Sequence, residues 1–151
     1  MKPFFLSLAL LSVFVISAVD ITSFYPAAHE IDGYVQIRDH RGFLVGSARR
    51  MGNRVTYRDN HGDLIGTAVV DGDRVTYRDN HGNLIGTSRT YGERTTYRDN
   101  HGDLQGSSVS SGNRTTYRDN HGNIRGSSVS SGSRTTYRDK RGRISGSSSR
   151  R

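Results

Sequence analysis

The sequence predicts an all-β protein: tandem 20-residue β-hairpin repeats forming a single meandering sheet, twisted or coiled, of about twelve short antiparallel strands. Three observations predict it. The segment Thr-Tyr-Arg-Asp-Asn-His-Gly recurs at 56–62, 76–82, 96–102 and 116–122, with variants at 36–42 and 136–142, always 20 residues apart. Each copy alternates β-forming residues with turn residues. Glycine holds one fixed turn position in all six copies (Gly42 to Gly142) and a second in the last five (Gly52 to Gly132), and no proline falls within the repeats, as strands paired on both sides require.

Residues 1–18 read as a secretory signal peptide. Lys2 precedes an apolar run from Phe4 to Val15, and the small residues Ser17 and Ala18 follow; the run falls short of the roughly 20 apolar residues of a bilayer span. Cleavage after Ala18 would leave no transmembrane span. Residues 19–31 form a lead-in segment without the motif, and 32–151 form the six-copy repeat domain.

Within a repeat, Arg54–Asp59 and Leu64–Val70 read as strands. Between them, Asp59-Asn60-His61-Gly62 has Asp opening a turn and Gly closing it. The connection Asp71-Gly72 suits a two-residue loop of type I′. That loop pairs Val70 with Asp73, and therefore Gly66 with Tyr77. The other turn then becomes a four-residue loop pairing Asp59 with Leu64 and Tyr57 with Gly66. One row results: Tyr57, Gly66, Tyr77, Gly86, Tyr97, Gly106, Tyr117, Gly126, Tyr137, each glycine flanked by tyrosine rings. A competing register, with three-residue loops, pairs Tyr57 with Ile65.

Comparison of the copies favours the first register. The Leu64 position is Leu or Ile throughout, whereas the Ile65 position drifts through Val45, Ile85, Gln105, Arg125 and Ser145. Tyr57, Leu64 and Gly66 are therefore expected on the covered face, with Ile65 exposed. An open sheet about 55 Å long would leave that face wet, so it must coil on itself, pack against a copy or lie on a partner.

The chain has no cysteine, which excludes thiol chemistry and disulfide stapling. Its net charge of +8 is uneven. Residues 19–104 carry eleven Arg against twelve acids, and residues 105–151 carry nine Arg and one Lys against Asp119 and Asp139. The expectation is an anionic partner (polysaccharide, lipid or acidic protein) held by Arg118, Arg125, Arg138, Arg141, Arg143, Arg150 and Arg151.

Other constellations compete for a role. Asp59-x-His61-x-Asp63 offers oxygen and imidazole donors for a metal, but Asp63 becomes Asn83, Asn123 and Arg143 in later copies, and turn chemistry alone explains Asp59. The repeated histidines could do acid–base chemistry, yet no unique asymmetric constellation accompanies them. The reading is of no enzyme and no cofactor. The Thr row (Thr56, Thr67, Thr76, Thr87, Thr96, Thr116) resembles an ice-binding array, spoiled by flanking arginines. The Arg ladder beside the tyrosines suits a polyanion, and export disfavours nucleic acid. An outer-membrane barrel needs strands of about 9–11 residues with an apolar outer band, unlike these. Self-association through the Tyr/Leu face is the alternative function.

At Tyr57-Arg58-Asp59-x-x-Gly62-x-Leu64 the chain resembles the tyrosine–aspartate (Rhs-type) repeats of secreted bacterial proteins, over residues 32–151. In that family Tyr directly precedes Asp, whereas here Arg58 intervenes, and six copies are fewer than its closed shells use. The plan is also similar to the hairpin repeats of choline-binding cell-wall modules, without their tryptophans. The resemblance implies a bacterial, non-catalytic β-repeat that is secreted, periplasmic or on the cell surface.

Overall fold

The computed structural model describes residue 28 and residues 31–151. The expected signal segment and most of the lead-in lie outside the described residues. The strands, in chain order, are β1 (Tyr34–Asp39), β2 (Leu44–Met51), β3 (Arg54–Asp59), β4 (Leu64–Asp71), β5 (Arg74–Asp79) and β6 (Leu84–Tyr91). They continue as β7 (Arg94–Asp99), β8 (Leu104–Ser111), β9 (Arg114–Asp119), β10 (Ile124–Ser131), β11 (Arg134–Asp139) and β12 (Ile144–Arg150).

The sheet is closed. Each strand pairs antiparallel with its chain neighbours, and β12 returns to pair with β1, Val35 opposite Arg150 and Asp39 opposite Gly146. The closing ladder repeats the register of the internal ones: Gly146 faces Asp39 as Gly66 faces Asp79. The open meander expected from the sequence is thus corrected to a twelve-stranded barrel with six-fold pseudosymmetry.

The cause lies in one turn. Asp71 pairs with Arg74, so the two-residue loop is Gly72-Asp73, one place later than the Asp71-Gly72 loop expected from the sequence. Gly72 has φ +57°, and among the described residues none other than glycine has positive φ. A positive φ at the first loop position only is the signature of a type II′ turn, not I′. Moving the loop by one residue moves the pairing by two, so Gly66 faces Asp79 and Tyr77 faces Ala68. Each repeat is therefore offset two residues from the last, and six repeats accumulate a shear of about twelve around twelve strands. Equal strand number and shear give a tilt near 36°. With strands about 4.8 Å apart, the backbone cylinder is roughly 22 Å across.

The second turn also departs from expectation. The Asp59 N–H donates to the Asp63 carbonyl, and the Gly62 N–H to the Asp59 carbonyl. The loop has three residues, Asn60 to Gly62, and Arg58 pairs with Leu64. A bulge at Ile65 then restores the expected Tyr57–Gly66 pair. It also reverses the face assignment. Ile65 is buried in the core, whereas Leu64 is half-buried and its counterparts Leu84, Leu104, Ile124 and Ile144 are exposed.

The predicted Tyr–Gly row is correct on one side of each glycine and wrong on the other, where Asp replaces the second tyrosine. What forbids a side chain is best seen at the seam. A Cβ on Gly146 would stand 2.6 Å from the Arg38 carbonyl oxygen of the neighbouring strand. Backbone crowding, not ring cover, fixes that glycine.

The tyrosines fill the cylinder. Tyr57, Tyr77, Tyr97, Tyr117 and Tyr137 are buried, with Ile37 in the first repeat's place. Four of the phenols meet a serine hydroxyl on the next strand: Tyr77–Ser88, Tyr97–Ser108, Tyr117–Ser128 and Tyr137–Ser148, at 3.1–3.5 Å. Ala28 and Ile31 of the lead-in are buried in the same core beside Val35, Val55 and Val75. The other face of the odd strands, Arg54, Thr56 and Arg58 in β3, turns outward. The Thr row thus runs around a curved wall, not across a flat one. Among the described residues no helix is long and apolar enough to cross a membrane.

Candidate anion-binding surface

Closure sets the first repeat beside the last. The tips Asp39–Phe43 and Asp139–Arg143 join strands that flank the seam, so they are neighbours on one rim, about 10 Å apart at two strand spacings. Repeats 1, 5 and 6 (32–51 and 112–151) are then contiguous and carry 14 Lys and Arg against four acids. Repeats 2 to 4 (52–111) carry seven against eight. The barrel has one basic half and one neutral half.

The seven arginines singled out from the sequence all lie on that basic half, in three different settings. The Arg118 and Arg138 guanidinium groups donate to the Gly122 and Gly142 carbonyls of their own turns, both at 2.8 Å. A neutral acceptor positions the side chain and leaves its charge uncompensated. Arg125 pairs with Asp119 at 2.9 Å, Arg143 with Asp139 at 2.9 Å and Arg150 with Asp32 at 3.1 Å, so part of their field is cancelled. Arg141 and Arg151 are exposed, as is Lys140.

Sequence reasoning missed the contribution of the first repeat. Arg38, Arg41, Arg49 and Arg50 stand a hundred residues from the basic C-terminus, yet closure places them on the same half. The only signal was the first repeat's own small positive excess, which gains meaning once β1 and β12 are known to pair. Phe43 is also distinctive: it is largely exposed where the other copies carry Asp, Asn or Arg.

The aspartates expected to compete as metal ligands are engaged in the turns. Asp59 Oδ1 accepts from the backbone N–H of His61 and of Asp63, both at 2.9 Å. The same pattern recurs at Asp79, Asp99, Asp119 and Asp139. The His61 ring is 3.9 Å from Asp59 Oδ2 and largely exposed. Among the described residues no three His, Asp or Glu side chains converge as a metal would need.

Burial pushes the Asp119 carboxyl up, but the Asn123 backbone and side-chain amides, the His121 N–H and Arg125 outweigh it and hold the group below the ordinary carboxylate value. Asp139 is held low against its burial in the same way, by Arg143 and the backbone N–H of Arg141. These acids stay charged at neutral pH and accept the backbone N–H groups of the tips that carry the exposed cations.

No protein-family model matches the chain, and no curated protein matches it. The fold and surface define a class all the same: a closed hairpin-repeat barrel with a charge-polarised wall.

Proposed function

We propose that this is an exported, non-enzymatic repeat barrel that binds an anionic surface or partner through its basic half. The observation that carries the reading is the continuity of repeats 5, 6 and 1 around the seam, which gathers 14 cations against four acids on half the wall. Field summed over such a patch attracts polyanions at range, even where individual pairs contribute little. The exposed Arg41, Lys140 and Arg141 on neighbouring tips are its leading contacts.

Self-association through a Tyr/Leu face was the alternative. The five tyrosines of that row are buried in the barrel, so the exposed Leu84, Leu104, Ile124 and Ile144 are the apolar positions left to such contacts.

The test is retention on an immobilised sulfated polysaccharide, with salt titrated through the binding transition. The expected result is release with rising ionic strength and about tenfold weaker binding for Arg41→Glu as well as Arg141→Glu, with Arg74→Glu on the neutral half near wild type. Salt-independent binding, or equal losses from Arg41→Glu and Arg74→Glu, contradicts the proposal.

A further inference from the structure

The barrel interior is polarised as well as its wall, and the two patterns come from different residues. At the end carrying the Gly72-type turns, the inward rung nearest the rim is Val70–Val75 between β4 and β5. The same rung is Thr90–Thr95, then Ser110–Thr115, then Ser130–Thr135 in the following repeats. One step deeper, Ala48 and Ala68 give way to Ser88, Ser108, Ser128 and Ser148. Ile31 and Ala28 pack on the apolar arc.

At the mouth of the hydroxyl arc an open cavity of about 280 Å³ reaches from β8 around to β1, with the rim turns Gly112-Asn113 and Gly132-Ser133 in its wall. That is near the lower end of small-molecule sites, roughly 300–1,000 Å³. Twelve strands enclose more space than side chains of this size can fill.

Its lining has a definite chemistry. Ser110 meets Thr115 at 3.1 Å, Ser130 meets Thr135 at 2.9 Å, and Ser148 meets the Tyr137 phenol at 3.2 Å. Each hydroxyl can donate once and accept twice. A pair uses one donor and one acceptor, so the Ser110–Thr115 and Ser130–Thr135 pairs keep further hydrogen-bonding capacity at the lining. The Tyr137 ring and Val35 supply a small apolar patch. The one charged group in the lining, Arg150, is paired with Asp32 at 3.1 Å. Donors, acceptors and an apolar patch, without an uncompensated charge, match a neutral polyhydroxylated molecule with C–H and O–H faces.

We infer that this cavity is a binding site for a neutral sugar or polyol of about monosaccharide size, sharing only Arg150 with the basic wall. The protein's own second and third repeats supply the control, because Val70–Val75 shows that the rung accepts valine in the same fold. The experiment titrates D-glucose, D-galactose, D-ribose and myo-inositol into the mature chain, followed by amide chemical shifts. Saturable binding of at least one is expected, with shifts centred on Ser130, Thr135 and Ser148. The double variant Ser130→Val/Thr135→Val should weaken it at least about tenfold while leaving the melting temperature and polysaccharide retention unchanged. No saturable binding of any of the four overturns the inference. So does binding that survives the double variant undiminished in a folded protein.

Discussion

Ser145 is buried at the bulge position, and its hydroxyl has no hydrogen-bond partner. In the second repeat the same position holds Ile65, a core residue. Ser145→Ile should therefore raise the melting temperature, by the equivalent of about 1–2 kcal/mol for satisfying the site with apolar packing; a loss of stability contradicts the inward placement of the bulge residue. Gly146 makes the opposite prediction. With the Arg38 carbonyl 2.6 Å from its would-be Cβ, Gly146→Ala must spread the seam, at about 2 kcal/mol or more in thermal denaturation.

The turn aspartates give the residue scale a pH dependence. Burial raises the carboxyls of Asp79, Asp99, Asp119 and Asp139, yet their amide donors and, for the last two, arginines bring each below the ordinary value. A carboxyl lower in the folded than in the unfolded chain adds stability in full above the unfolded pKa of about 3.9, and that stability fades as pH falls through the folded value. The melting temperature should hold level from neutral pH to about pH 5 and fall below about pH 4. Asp119→Asn should flatten part of that fall.

At the scale of the element, the hairpin was legible and its register was not. Strand positions, turn positions and the Tyr57–Gly66 pair follow from a 20-residue repeat whose β-formers and glycines hold their places in copies two to six. The loop itself offered Asp71-Gly72 and Gly72-Asp73 as near-equal choices, since glycine suits the second place of one and the first of the other. Neither propensity nor pattern separates them; the closed sheet does, because only the later loop staggers the repeats. The drift of residues 65, 85, 105, 125 and 145 misled for a related reason. A bulge residue on the rim of a wide barrel is buried at Ile65 and Ser145, half-buried at Ile85, Gln105 and Arg125 and exposed at Val45, so its variability reflects a mixed environment. Gly72→Val should cost about 1–3 kcal/mol, because φ +57° is strained for any side chain. Asp73→Ala, at negative φ, should cost far less.

At the scale of the molecule, closure is what turns local repetition into a container with two different halves. The charge excess visible at the C-terminus becomes a patch half as broad again once the first repeat joins it, and the Val-to-Ser drift along the chain becomes an apolar arc facing a hydroxyl arc. Neither could be read along the chain, because both depend on residues over a hundred positions apart becoming neighbours. Everything proposed for the wall and the cavity therefore hangs on the β1–β12 ladder. The chain has no cysteine, so a pair can be introduced cleanly at Gln36 and Ser149, which face one another across the seam. Oxidation of the Gln36→Cys/Ser149→Cys variant at low concentration should give an intramolecular disulfide in monomeric protein at high yield. In an open sheet the two sites would stand about 50 Å apart, and the result contradicting closure is a protein that stays reduced or cross-links only between copies.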